Sequence, residues 1–293
     1  MKNYLAQVDG LLRNSFAWQQ QLMSQMQTQF LHLLPHTKLS FEVALAEHCN
    51  LNCRGCDHFS PLATPELVDF DKLLMDFTRL ANLFGKRVRR VDLLGGEPLL
   101  NPDIINFFKM SRKVFSEAFI HIISNGTLLL RVPEEFWTAC RENSIVIFVT
   151  KYPIPVDYDA IQERAKYYQV DFRYFNAGEP VKKLYSMKLD LDGLQDDSKN
   201  FLICHRANGC IYLQNGRLWT CTVAPTARHF DRHFGTHIFD EESNSIDIHK
   251  ATSAEEIMQF LAKPIPFCAY CNIAATTYGM DWTQSKKEIT EWT

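Results

Sequence analysis

From Leu39 onward the hydrophobic positions alternate between two spacings. Phe41-Glu-Val-Ala-Leu-Ala46 is an apolar run of strand length, whereas Phe70, Leu73, Leu74, Phe77, Leu80 and Phe84 recur at threes and fours after Asp69 and stop at Gly85. That spacing predicts a helix with one buried face and a glycine terminator. Val88 to Leu94 reads as the next strand. Asn101-Pro102 sets a cap residue before a proline at a helix start, and Ile104, Ile105, Phe108 and Phe115 supply the buried face. Phe119 to Ile123 is again strand, and Pro133 opens a short helix. The β-branched run Ile145 to Val149, a helix over Asp157 to Tyr168 and a last strand at Phe172 to Phe175 complete the series. Strands alternating with helices in this way predict a parallel sheet.

The two ends of the chain read differently. Leu22, Met26, Phe30 and Leu33 form a stripe on a glutamine-rich background, predicting a helical extension over residues 1–37 with Pro35 as its stop. Beyond about residue 190 helical periodicity fades. Ile211 to Leu213 and Leu218 to Thr220 flank Asn215-Gly216, a hairpin signal because both turn residues accept positive φ. Ser253 to Leu261 reads as a capped helix. The expected organisation is therefore an extension (1–37), an alternating α/β unit (38–190) and a small cysteine-rich unit (191–293).

Composition narrows the function classes. Hydrophobic residues make up 46% and charged residues 22%, with a net charge of −3, values of an ordinary globular protein with no bias toward nucleic acid. The one basic cluster, Lys86-Arg87-Val88-Arg89-Arg90, straddles a strand start and reads as its solvated entrance. No apolar run reaches the ~18 residues of a membrane helix, and no signal-peptide core begins the chain. A cytoplasmic protein with no membrane or nucleic-acid partner is expected. Nine cysteines in such a compartment point to metal or redox chemistry rather than disulfides.

Three of those cysteines, Cys49, Cys53 and Cys56, stand at x3 and x2 spacing just after the first strand. Structural zinc closes its shell with four ligands, and a simple electron-transfer 4Fe-4S cluster also takes four cysteines. Three would leave one iron open. Each further motif also follows a strand: Gly95-Gly96-Glu97-Pro98 after the second, Ser124-Asn125-Gly126 after the third. In parallel barrels the chemistry sits at the strand C-termini.

This cysteine spacing, with the glycine-glycine-glutamate segment behind it, resembles the radical S-adenosylmethionine (SAM) superfamily; a zinc knuckle and a four-cysteine ferredoxin-like site are the alternatives. The resemblance implies a partial (β/α)6 TIM-like barrel in which Cys49, Cys53 and Cys56 bind a 4Fe-4S cluster whose open iron is chelated by SAM. It further implies a 5′-deoxyadenosyl radical, Gly95 and Gly96 close to the methionine end of SAM, and a Glu97 carboxylate offered to its ammonium group. Asn125 and Thr150 would bond its ribose or carboxylate. The family's usual aromatic before the third cysteine is here Gly55, leaving adenine to His58 or Phe59. Lys151, Tyr152 and Arg173, near late strand ends, are candidate proton acceptors. An electron donor such as flavodoxin or ferredoxin is implied.

Downstream, Cys204, Gly216-x4-Cys221 and Cys268-x2-Cys271 resemble the ligands of an auxiliary 4Fe-4S cluster in a twitch domain, the truncated SPASM domain. Cys210 is a possible fifth ligand, and a four-cysteine zinc site is the alternative. Radical SAM proteins with one twitch cluster include dehydrogenases of aminocyclitols. The expected reaction is therefore oxidation of a small polar, sugar-like substrate, the auxiliary cluster taking the second electron. A peptide-modifying maturase, a redox-neutral epimerase or dehydratase, and a non-catalytic metal-stabilised binding module are the alternatives; the residues before the barrel are too few for a maturase's recognition domain. His229, His233 and His237 recur every four residues but read as packing around Phe230 and Phe234. Cys140 reads as a buried apolar residue.

Overall fold

The computed structural model describes residues 34–293, so the stripe expected over Leu22 to Leu33 lies outside the described residues. Five strands alternate with four helices: β1 (Leu39–Ala46), α1 (Phe70–Phe84), β2 (Val88–Gly95), α2 (Ile104–Val114), β3 (Phe119–Ser124), α3 (Glu134–Glu142), β4 (Ile145–Val149), α4 (Tyr158–Tyr167) and β5 (Phe172–Tyr174). Then come β6 (Lys183–Leu189), α5 (Asp197–Ile203), β7 (Tyr212–Gln214), β8 (Arg217–Trp219), α6 (Val223–Phe234), α7 (Glu241–Asn244), β9 (Ser245–Asp247), α8 (Ala254–Leu261) and β10 (Cys271–Asp281). The eight-stranded sheet runs β5-β4-β3-β2-β1-β7-β8-β9, parallel from β5 to β7. No helix among the described residues is long and apolar enough to cross a membrane.

The near-continuous apolar runs arise because the sheet is covered on both faces. Along β1, Phe41, Val43 and Leu45 join the cluster beneath the helices, while Ala44 faces a second cluster formed with the C-terminal elements. The caps follow the sequence signals: Asp69 Oδ1 accepts from Lys72 N at 2.9 Å, Asp157 Oδ1 from Ala160 N at 2.9 Å and Ser253 Oγ from Glu256 N at 3.1 Å. The β7–β8 hairpin turns at Asn215 and Gly216, both at positive φ. Cys140 is fully buried in α3.

The sixth parallel strand is where the structure departs from expectation. It is β7, added outside β1, with Glu42 N donating to Ile211 O at 2.8 Å. The strand next in sequence, β6, instead pairs antiparallel with β10 in a separate two-stranded sheet. The hairpin of the cysteine-rich region thus extends the barrel sheet itself. At the strand entrance, Lys86 pairs with Glu117, Arg87 with Glu255 and Arg90 with Asp92.

Candidate active site

The C-terminal ends of β1 to β4 and the loops that leave them enclose a cavity of about 330 Å³. Cys49, Cys53, Cys56, His58, Gly95, Gly96, Asn125, Thr150 and Tyr152 all line it. The glycines are needed first for strand packing. A Cβ at Gly95 would collide with the Ala46 carbonyl, and one at Gly96 with the His48 carbonyl, at the exit of β1. Gly96 N donates to Ala46 O at 2.8 Å and Glu97 N to His48 O at 3.1 Å, which locks the cysteine loop against β2.

The thiols carry features suited to iron-bound thiolates. Leu51 N lies 3.4 Å and Asn125 Nδ2 3.7 Å from Cys49 Sγ, and Trp282 Nε1 lies 3.1 Å from Cys53 Sγ, so N–H donors already point at sulfur. Burial pushes the Cys53 thiol up to about 11 and raises Cys49 and Cys56 too. Such thiols ionise when a cation is delivered to them, as metal binding does.

Four expected site residues are not placed at the cavity. Glu97 is fully buried: its Oε1 accepts from Ser124 Oγ at 2.8 Å and Leu99 N at 3.2 Å, and its Oε2 from Asn125 N at 2.9 Å. Its carboxylate shapes the end of β3 instead of facing the cavity. Phe59 is core, packed on Phe230 and Trp292 at 5.6 and 5.9 Å between ring centroids. Lys151 Nζ sits 4.1 Å from the Tyr174 ring centroid, and Arg173 pairs with Asp171 at 2.7 Å. His58 remains at the cavity, where burial lowers its imidazole and its Nε2 lies 3.3 Å from Thr222 Oγ1. Tyr152 also remains, its hydroxyl raised by burial and by the neighbouring cysteines.

Other functional groups had no readable signal. Asp57, next to Cys56, accepts from Arg206 Nη2 at 2.6 Å and Nε at 3.0 Å and from the Tyr185 hydroxyl at 3.2 Å. Burial would raise the Asp57 carboxyl, but the Arg206 charge holds it below the usual range. Arg206 follows Cys204 by two residues, so one ion pair joins the two cysteine-bearing regions. Only the fold brings them together.

Cys204 ends α5, Cys221 precedes α6, Cys268 lies within a short 3-10 turn, Pro266–Tyr270, and Cys271 caps that turn. Their thiols are electrostatic neighbours, Cys204 acting on each of the other three. Burial drives Cys221 up to about 12 and Cys268 up to about 11. Among the described residues no three His, Cys, Asp or Glu side chains are gathered as one metal ion requires. Tetrahedral zinc at ~2.3 Å from sulfur would draw thiolates to within ~3.8 Å of each other. Cys210 is hydrogen-bonded to the Glu42 carboxyl, which burial raises to about 7, and is itself an electrostatic neighbour of Cys221. The three histidines diverge: His229 is buried on Glu47 at 2.9 Å, whereas His233 and His237 are exposed on either side of the Gly235 cap.

A family model for the radical SAM superfamily matches residues 43–157. Molybdenum cofactor biosynthesis protein 1 of Bos taurus is 36% identical over 95 residues, covering 31% of this chain and 14% of that protein. A GTP 3′,8-cyclase of Acidothermus cellulolyticus is 31% identical over 97 residues, 30% of this chain and 26% of that one. The chain thus spans about a quarter or less of the length of these curated relatives. Among solved structures, BtrN in complex with AdoMet and 2-DOIA superposes with a TM-score of 0.50 at 16% identity, over 80% of this chain and 94% of that one. At that identity the likeness is one of fold.

Proposed function

Residues 43–157 form a radical SAM domain, and from that premise we propose that the chain dehydrogenates a small polar, sugar-like substrate, with a second iron-sulfur cluster in a twitch-like region as electron acceptor. The observation that carries the reading is the second set of thiols. Cys204, Cys221, Cys268 and Cys271 neighbour one another, with Cys221 buried and the other three half-buried, and belong to a region that continues the barrel sheet through β7 and β8. When bound, the first cluster and SAM supply a radical that removes a hydrogen atom from carbon. Completing an alcohol-to-carbonyl oxidation then requires loss of one further electron and one proton. The chain offers a second set of thiols for a group that would take the electron. For the proton, His58 lines the cavity, and burial disfavours its charged form and so favours the neutral imidazole that can accept, whereas the raised hydroxyl of Tyr152 holds its own proton.

The likeness to BtrN extends the shared fold beyond residues 43–157, since it covers 80% of this chain. The test is a Cys268→Ala/Cys271→Ala variant, anaerobically reconstituted and supplied with SAM, reductant and candidate polyols. It should still form 5′-deoxyadenosine and yield no oxidised product. A wild-type product with the oxidation state of its substrate would replace dehydrogenation by an epimerase or dehydratase reaction, and absence of 5′-deoxyadenosine from wild type would leave a binding module.

A further inference from the structure

Trp282 lies 229 residues after Cys53 in sequence, yet its Nε1 is 3.1 Å from the Cys53 sulfur. An indole N–H can only donate, so its proton is directed at sulfur. The contact is held by backbone on both sides. Arg54 N donates to Thr283 O at 2.9 Å, Ser285 N to Asn52 O at 2.8 Å, and Cys53 and Gln284 form an antiparallel bridge. Trp282 N is itself bonded to Lys182 O at 2.9 Å, and its ring packs on Tyr152 at 6.1 Å between centroids. Residues 282–285 thus strap the cysteine loop along its length, with one side chain turned onto one sulfur.

We propose that Trp282 is a positioning residue that fixes the Cys53 thiolate and sets the reduction potential of the cluster it ligates, through an indole N–H···S hydrogen bond. The inference rests on the reading that Cys49, Cys53 and Cys56 hold the SAM-binding cluster. Hydrogen bonds to cluster sulfurs are among the determinants of potential. Reduction adds negative charge, and a donor bonds more strongly to a more negative acceptor, so Trp282 favours the reduced state. The gap between bonds to charged and to neutral acceptors corresponds to about a tenfold change in equilibrium.

The experiment is Trp282→Phe in the full chain, which keeps an aromatic ring against Tyr152 and removes the donor. The midpoint potential of the cluster whose EPR spectrum responds to added SAM is measured with iron content. We expect iron to be retained and the ratio of reduced to oxidised cluster at fixed reductant potential to fall about tenfold, about 59 mV for one electron. An unchanged midpoint with full iron overturns the proposal. If the variant loses iron, wild-type protein carrying 15N-indole tryptophan is examined by pulsed EPR, with Trp292→Phe as the assignment control because Trp292 Nε1 bonds the Cys56 carbonyl at 2.9 Å. A 15N coupling that survives in the control supports the proposal, and its absence overturns it. The Cys49→Ala/Cys53→Ala/Cys56→Ala variant separates the two failures. If it keeps the SAM-responsive spectrum the cluster reading is wrong, whereas if it loses that spectrum while Trp282→Phe changes nothing, only the role of Trp282 fails.

Discussion

Glu97 offers a direct contest between the role its motif implies and the role its contacts give it. Replacing it with alanine would leave two backbone donors, the half-buried Leu99 N–H and the buried Asn125 N–H, without acceptors, along with the Ser124 hydroxyl. Each orphaned donor costs about 1–3 kcal/mol, and the void left by the side chain adds about 1 kcal/mol. We therefore expect a loss of about 4 kcal/mol near pH 5. The gap should narrow as pH rises, and the sign follows from linkage. Burial raises the Glu97 carboxyl from 4.5 to about 7 against its three donors, so the folded chain binds the proton more tightly than the unfolded one. That contribution is complete below about pH 4.5 and is lost as pH rises through 7, a swing of about 3 kcal/mol. Thermal unfolding of the metal-free wild type and Glu97→Ala at pH 5 and pH 8 measures both terms, and hydrogen exchange at the Asn125 amide locates the damage. If the variant melts with wild type at pH 5 and loses only SAM affinity, the carboxylate faces the ligand and the structural reasoning is refuted.

Two further expectations concern the same mouth. Gly96→Ala would drive a Cβ into the backbone of His48 and Cys49, which cannot swing aside as a side-chain tip can, so we expect about 1–3 kcal/mol of destabilisation and reduced iron uptake at the first cluster; a variant that loads iron as wild type does would remove the packing argument. Under the two-cluster reading, anaerobic reconstitution should give about eight irons per chain, and the Cys49→Ala/Cys53→Ala/Cys56→Ala variant about four, whereas zinc in place of the remaining iron would make the second set a structural site.

Legibility in the sequence divides along local and long-range lines. The alternation of β1 to β5 with α1 to α4 could be read because each element states itself within a few residues through periodicity and caps at Asp69 and Asp157, as does α8 through Ser253. The β7–β8 turn could be read for the same reason, from one Asn-Gly pair. Partner choice could not be read. The apolar positions of β6 fit a sixth barrel strand as well as they fit pairing with β10, and nothing local marks β7 as the strand that joins β1. The site divides in the same way. Residues in motifs just after strands reached the cavity, while Asp57, Arg206 and Trp282 acquire their meaning only from partners more than a hundred residues away. Glu97 is the instructive middle case, because its position was readable and its direction was not.

The glycine at position 55 has a physical explanation in those same distant partners. A Cβ built on Gly55 would lie 2.8 Å from Ser186 Oγ on β6 and 3.4 Å from the Glu291 carbonyl near the chain end, and the residue sits at φ +64°, so an aromatic side chain there would meet both crowding and backbone strain. Ser186 Oγ donates to that same Glu291 carbonyl at 2.8 Å, and Trp292 Nε1 donates to the Cys56 carbonyl at 2.9 Å. The room that a ring at position 55 would need is thus taken by β6 and the C-terminal residues. Aromatic surface reaches the cysteine loop by other routes: Tyr152 from the end of β4 and Trp282 from beyond β10, in contact with each other and with Cys53. The missing aromatic is therefore explained by the packing of Ser186 and Glu291 against position 55. Gly55→Tyr should displace Ser186 and the Glu291 carbonyl and weaken the neighbouring Trp292 bond to the Cys56 carbonyl, which a fall in the thermal unfolding midpoint of the metal-free variant would measure.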